Sequence, residues 1–181
     1  MQKHDDMPDL GTQPIQLTEI NRTDLPQLQK WINDADIARM SSVYRPISDI
    51  AQEQWFTSIA TDASSYIFGI RLMDDSLIGI CQLTTVNTTA RSAELRIRIG
   101  EKEHWGKGYG YQATMKLLDF AFNTLNLHRV WLTVFSFNKQ AIRLYQKAGF
   151  TEEGVMRQAF YGNGEYHDIL LMSMLKNEYR A

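Results

Sequence analysis

The sequence predicts an α/β (α+β) domain of three layers, with a mixed central sheet of about seven strands flanked by about four helices. Three observations carry this. Segments of period-two alternation and of helical spacing follow one another in the order β-α-α-β-β-β-α-β-α-β-β. The passage 93–135 reads strand, helix, strand, which suits a crossover between parallel neighbours. No stretch of linker composition divides the chain, whose 181 residues are 44% hydrophobic and 22% charged, an ordinary globular balance. A loose tail over 1–13, polar and holding Pro8 and Gly11, and a single domain over 14–181 are expected.

Taken in order, residues 15–20 alternate as a strand does, and Leu25, Leu28, Trp31 and Ile32 fall at helical spacing from Asp24 onward. Ser48 can cap a second helix that carries Trp55, Phe56 and Ile59, with an irregular stretch over 33–47 before it. Strands follow over 66–73, 77–86 and 93–99, the first two joined by a tight turn at Asp74 and Asp75. A helix over 108–124 puts Leu117, Leu118, Ala121 and Leu125 on one face, and 130–135 is a β-branched and aromatic strand. Asn138 can cap a short helix that stops at Gly149. Asn163-Gly164 signals a hairpin between strands 154–161 and 166–175.

Composition excludes several classes. A net charge of −2 with no basic run gives no general drive toward nucleic acid or an anionic membrane. No window reaches the length of a membrane span, and residues 1–6 hold no apolar leader core, so a cytoplasmic protein is expected. The one cysteine, Cys81, sits in the apolar run Leu77-Ile78-Gly79-Ile80-Cys81 and reads as a small buried hydrophobe. His104, His128 and His167 lack metal-ligand spacing, and no metal is expected.

One motif points to chemistry. Trp105-Gly106-Lys107-Gly108-Tyr109-Gly110 follows a strand and opens a helix. Alternating glycines let successive backbone N–H groups turn toward one point, and the helix start adds its own unpaired donors and partial positive charge. A phosphate or pyrophosphate suits such a place, and Lys107 could add a point charge. No Gly-Lys-Ser/Thr occurs, so this is not a Walker A loop. A dinucleotide fold should open on such a unit, whereas here about 100 residues precede it.

The loop resembles motif A of the GNAT superfamily of N-acetyltransferases, Gln/Arg-x-x-Gly-x-Gly/Ala, with Trp105 in the Gln/Arg place. Downstream, Asn138-Lys-Gln-Ala-Ile-Arg-Leu-Tyr145-Gln-Lys-Ala-Gly149-Phe150 resembles that superfamily's motif B, Asn-x-x-Ala-x-x-x-Tyr-x-x-x-Gly-Phe. Glu103-His-Trp-Gly-Lys-Gly-Tyr-Gly110 and Leu127-His-Arg-Val130 are similar to phrases of its ribosomal-protein-alanine and spermidine acetyltransferase branch. The resemblance implies acetyl-CoA as co-substrate. Its pyrophosphate would sit on Gly106 to Gly110 with Tyr109 among them, and its pantetheine would run beside Ile97, Arg98 and Ile99. A backbone N–H of that strand would serve as oxyanion donor, and Asn138 would bond the cofactor as well as cap its helix.

Acetyl transfer to an amine needs a base, because an amine of pKa near 10 is neutral in only roughly one part in a few thousand at pH 7. It also needs an acid for the departing thiolate. Tyr145, two helical turns after Asn138, matches the tyrosine that the superfamily places near the sulfur; the other reading is a core aromatic. Glu94 alternates with Arg96 and Arg98 on the polar face of its strand and is the candidate base, the alternatives being an ion pair with Arg96 or deprotonation through ordered water. In the superfamily the stretch 33–47 walls the acceptor. Here Asp34 and Asp36, with Glu53, suit a polyamine, while Arg39, Arg45, Arg96 and Arg98 suit an amino sugar on a nucleotide or a peptide N-terminus. Tyr44 belongs to the same stretch. A small-molecule or peptide amine is the expected partner, and the terminal strands could extend a sheet into a homodimer. A non-catalytic CoA sensor is the rival reading.

Overall fold

The computed structural model describes residues 13–40 and 45–180. The tail reading, apart from Gln13, and Tyr44 lie outside them. A short strand β1 (Ile15–Thr18) leads through a 3-10 turn (Arg22–Asp24) into α1 (Leu25–Ile32). Asn21 and Asp24 close that turn reciprocally, with Asn21 N–H donating to Asp24 Oδ2 at 2.8 Å. Then come α2 (Ala35–Arg39), α3 (Asp49–Ile59), β2 (Tyr66–Leu72), β3 (Leu77–Asn87) and β4 (Ser92–Ile99). The chain continues with α4 (Tyr109–Asp119), which runs on as a π-turn over Phe120–Thr124, and with β5 (Arg129–Phe135) and α5 (Lys139–Ala148). It closes on the long hairpin of β6 (Thr151–Gly162) and β7 (Glu165–Leu175).

The seven strands form one sheet in the order β1-β2-β3-β4-β5-β7-β6. Every neighbouring pair is antiparallel except β4 and β5, the two strands joined by the α4 crossover. The expected caps form: Ser48 Oγ accepts from Ala51 N–H, Asn138 Oδ1 accepts from Ala141 N–H, and Gly149 ends α5 at φ 98°. The stretch expected to be irregular contains a fifth helix. Asp34 caps it by accepting from the N–H groups of Asp36 and Ile37, and with five residues it is too short to show a periodicity.

Alternation divides the apolar residues between two cores. Ala93 and Leu95 of β4, Val130 and Leu132 of β5, and Met172 and Met174 of β7 pack under α4 and α5 with Ala113, Leu117, Phe122, Ile142 and Tyr145. The smaller core lies on the opposite face, where Leu25, Leu28, Trp31 and Ile37 of α1 and α2 meet Trp55 and Phe56 of α3, Ile80 of β3, and Trp105. Cys81 is fully buried in the main core, and burial pushes its thiol up to about 12. Polar side chains tie the far end of the sheet together. Glu153 of β6 reaches across β7 to accept from Ser173 Oγ at 2.7 Å and from Arg129 of β5 at 2.5 Å.

Candidate active site

The parallel pair β4 and β5 is short. Only Ser92, Ala93 and Glu94 pair with Arg129, Val130 and Trp131, although both strands run on to Ile99 and Phe135. Past Glu94 and Trp131 the two strands part, and the sheet has a gap with β4 as one lip and β5 as the other. The connection from β4 leads over 100–108 into α4.

The glycine loop lies on this connection, with Gly110 against Ile99 at the end of β4 and Leu144 of α5. Gly106 and Gly108 have φ of 73° and 86°, the left-handed region that a side chain disfavours, and Gly108 is the N-cap of α4. A helix start without a side-chain cap leaves backbone donors pointing outward for an anion. The first turn of α5 borders the same place, with Gln140 Nε2 3.8 Å from where a Cβ on Gly106 would lie. Lys107 is exposed on the loop, and the donor set fits a pyrophosphate. Gly110 matters for packing instead. A Cβ there would come within 2.9 Å of Leu144 Cδ1, so its bareness lets α5 pack on α4. Trp105 also faces away from the cradle. Its indole N–H donates to Ile99 O at 2.8 Å and its ring joins the smaller core, bracing the loop against the end of β4. Tyr109 is buried in the main core, edge-on to His104.

Glu94, Arg96 and Arg98 share one face of β4 with their cross-strand partners Thr84, Gln82 and Ile80. Glu94 is 6% exposed, and its Oε2 accepts from Arg96 Nη2 at 2.9 Å and from Thr84 Oγ1 at 3.4 Å. The local ion pair considered from the sequence is therefore formed. Arg98 is half-buried, and desolvation lowers the pKa of its guanidinium. Ile97 and Ile99 turn to the other face and pack against the main core.

Tyr145 stands on that other face, 6% exposed and edge-on to Phe150. Its hydroxyl makes no hydrogen bond among the described residues, and burial raises its pKa. Asn138 caps α5 through its oxygen, leaving its amide nitrogen without a partner among the described residues. Both readings of Asn138 are thus compatible.

The acceptor-side residues are less uniform than expected. Asp34 and Asp36 both bind Lys102, with Nζ at 2.9 and 2.8 Å. Arg39 lies 3.6 Å from Asp36, and Glu53 pairs with Arg22 at 2.8 Å. Sequence reasoning missed an aromatic group at the end of β5. Phe135, Phe137, Phe160 and His167 pack ring to ring, Phe135 and Phe160 with centroids 4.2 Å apart. By alternation Trp131 and Phe135 share the face of Glu94. The run Phe135-Ser136-Phe137 was the available signal, but its partners arrive from a separate hairpin. No cluster of metal-ligating side chains occurs among the described residues, and none of their helices is long and apolar enough to cross a membrane.

The acetyltransferase (GNAT) domain family matches residues 15–151 of this chain. The chain belongs to that family. It is an acetyl-CoA-dependent N-acetyltransferase, an acyltransferase acting on amines. Among curated proteins, the spermidine N(1)-acetyltransferase of Vibrio cholerae is 31% identical over 167 residues, 91% of this chain and 95% of that one. The putative ribosomal N-acetyltransferase YdaF of Bacillus subtilis is 32% identical over 165 residues, 91% of this chain and 87% of that one. Among solved structures, the Vibrio cholerae spermidine N-acetyltransferase in complex with CoA and spermine superposes with a TM-score of 0.85 at 31% identity. The match covers 91% of this chain and 97% of that chain. The GNAT acetyltransferase fold is thus shared along nearly the whole length.

Proposed function

We propose that this acetyltransferase moves an acetyl group to a primary amine by direct attack in a ternary complex, across the gap between β4 and β5. The observation that supports the reading is the end of the β4–β5 pairing at Glu94, with Tyr145 in the core on the opposite face of the sheet. Glu94 stands on one face with Arg96, and Tyr145 on the other among the core residues of α5. An amine arriving on the Glu94 face would meet a thioester in the gap, and the sulfur would leave on the Tyr145 side.

Acetyl-CoA supplies the activated acetyl group. The loop at Gly106 to Gly110 and the first turn of α5 would hold its pyrophosphate, and Ile97, Arg98 and Ile99 would line its pantetheine. A backbone N–H of the β4 lip would hold the acetyl oxygen, a donor fixed before reaction rather than reoriented during it. Tyr145 stays protonated at neutral pH because burial opposes the phenolate, and so it can give a proton to the departing sulfur. Glu94 takes the ammonium proton directly or through a water; its bond from Arg96 holds the carboxylate in place.

The acceptor is a small-molecule or peptide amine. The spermidine acetyltransferases among the relatives support a polyamine, and the ribosomal one supports a protein N-terminus. A thiol-release assay with acetyl-CoA over polyamines, amino sugars, amino acids and N-terminal peptides tests this. We expect one class to be turned over; tight CoA binding with no turnover of any class would favour the sensor reading. The exposed Val155, Met156, Tyr161 and Tyr166 of the closing hairpin support a homodimer contact there, to be checked by sedimentation.

A further inference from the structure

We propose that Lys102 is a positioning residue that couples the cofactor loop to the α1–α2 segment, so that filling the loop also orders the sheet face on which the amine arrives. The proposal rests on the acetyltransferase reading above.

The link between β4 and the glycine loop is only a few residues long, and two of its charged residues, Glu101 and Lys102, grip different helices. Glu101 takes hold of α1. Its Oε1 accepts from Trp31 Nε1 at 3.0 Å and from Gln27 Nε2, and Lys30 Nζ lies 3.6 Å away. Trp31 packs flat on the preceding Gly100, where a Cβ would come within 2.0 Å of the indole. This half of the link belongs to the core.

Lys102 takes hold of α2. Its ammonium bridges Asp34 Oδ2 and Asp36 Oδ2 at 2.9 and 2.8 Å, while the other oxygen of Asp34 is committed to the cap of α2. An isolated exposed ion pair contributes little, since holding two long side chains costs entropy and water screens the charges. Here one ammonium serves two carboxylates, and one of those is already fixed by backbone donors. The two aspartates raise the pKa of Lys102, and Lys102 lowers that of Asp34. Ile37 of α2 then packs in the smaller core with Trp31 and Ile80, the cross-strand partner of Arg98. A displacement of Lys102 is therefore passed to the face that carries Glu94, Arg96 and Arg98. The side chain of Lys102 is 42% exposed, so its removal opens no core.

Hydrogen exchange with CoA as the probe tests the coupling without need of an acceptor. In the wild-type protein, saturating CoA should slow exchange of the amides over 34–40 by about fivefold or more, the lower end of ordinary site-to-site couplings. Lys102→Met should abolish that slowing while its CoA Kd stays within about twofold of wild type, and Lys102→Arg should keep it. With an amine that is turned over, Lys102→Met should raise the KM for the amine by about fivefold and leave kcat within about twofold. Slowing that persists in Lys102→Met, or that is absent from the wild type although CoA binds, overturns the coupling. So does a CoA Kd that weakens in step with the lost protection, because the lysine would then only shape its own loop. A wild-type protein that binds no CoA is a separate result, which removes the proposed function and the coupling with it.

Discussion

Tyr145 and Glu94 are asked for opposite services, and their surroundings differ accordingly. Tyr145 is wrapped in apolar residues that keep its proton on; Glu94 has a guanidinium 2.9 Å from its carboxylate. Tyr145→Phe should bind acetyl-CoA as before and lose kcat by about 10²-fold or more, the range for a lost general acid; unchanged turnover would exclude the role. Because burial raises the tyrosine pKa above 10, the wild-type rate should show no descending limb from this group at or below pH 10. Glu94→Gln should lose kcat by about 10²-fold or more, the range for a lost general base. Turnover equal to wild type would leave the proton to water. The Asn138 cap and the Glu94–Arg96 pair were legible in the sequence, because each is defined by neighbours within a turn or a strand, whereas the role proposed for Tyr145 rests on the motif resemblance. The pairing of Lys102 with Asp34 and Asp36 was not, because nothing along the chain says which distant acid a surface lysine will meet.

At the scale of elements, the loop and its two helices form the unit that decides cofactor affinity. Gly108 holds a left-handed φ of 86°, a conformation that costs an L-residue roughly 1–2 kcal/mol. Gly108→Ala should therefore weaken CoA binding by about tenfold in titration calorimetry while far-ultraviolet dichroism stays unchanged. An equal Kd would mean that the loop tolerates another shape and that the cradle is elsewhere. The glycine string itself was readable, yet its members do different work. Gly106 and Gly108 supply the turn, whereas Gly110 gives room to Leu144 of a helix more than thirty residues on. Helices and strands with a clear period were found within a few residues of their ends. The five-residue α2 escaped for want of a period, and the π-turn after α4 gave no sign beyond the apolar face that continues through it.

Across the whole molecule, the crossover from β4 to β5 could be anticipated from strand–helix–strand order. The insertion of β7 between β5 and β6 could not, since a hairpin signal does not say which of its strands docks. That arrangement places Glu153 on the outermost strand, where it spans β7 to reach Arg129. Its hydrogen bonds from Arg129 and Ser173 depress its pKa from 4.5 to about 2. A depressed carboxylate stabilises the fold in full above its unfolded pKa and loses that contribution as pH falls through the folded one. The stability difference between wild type and Glu153→Gln should thus be constant above pH 5 and shrink as the pH falls from about 4.5 toward 2. Chemical denaturation at several pH values measures it. A difference that does not vary over this window would mean that the pair contributes nothing in solution.

The gap between β4 and β5 has one more consequence. Over 95–99 on one lip and 132–135 on the other, the two strands do not pair with each other, so their facing backbone groups need partners from elsewhere. A slender ligand that carries amides along its length would complete the missing ladder and become a structural part of the sheet. Heat resistance should then report occupancy. By mass action, ligand at a hundred times its Kd adds about 2.7 kcal/mol, and the melting midpoint should climb with the logarithm of CoA concentration. The nucleotide half of CoA, which carries no such amides, should raise the midpoint less at the same concentration.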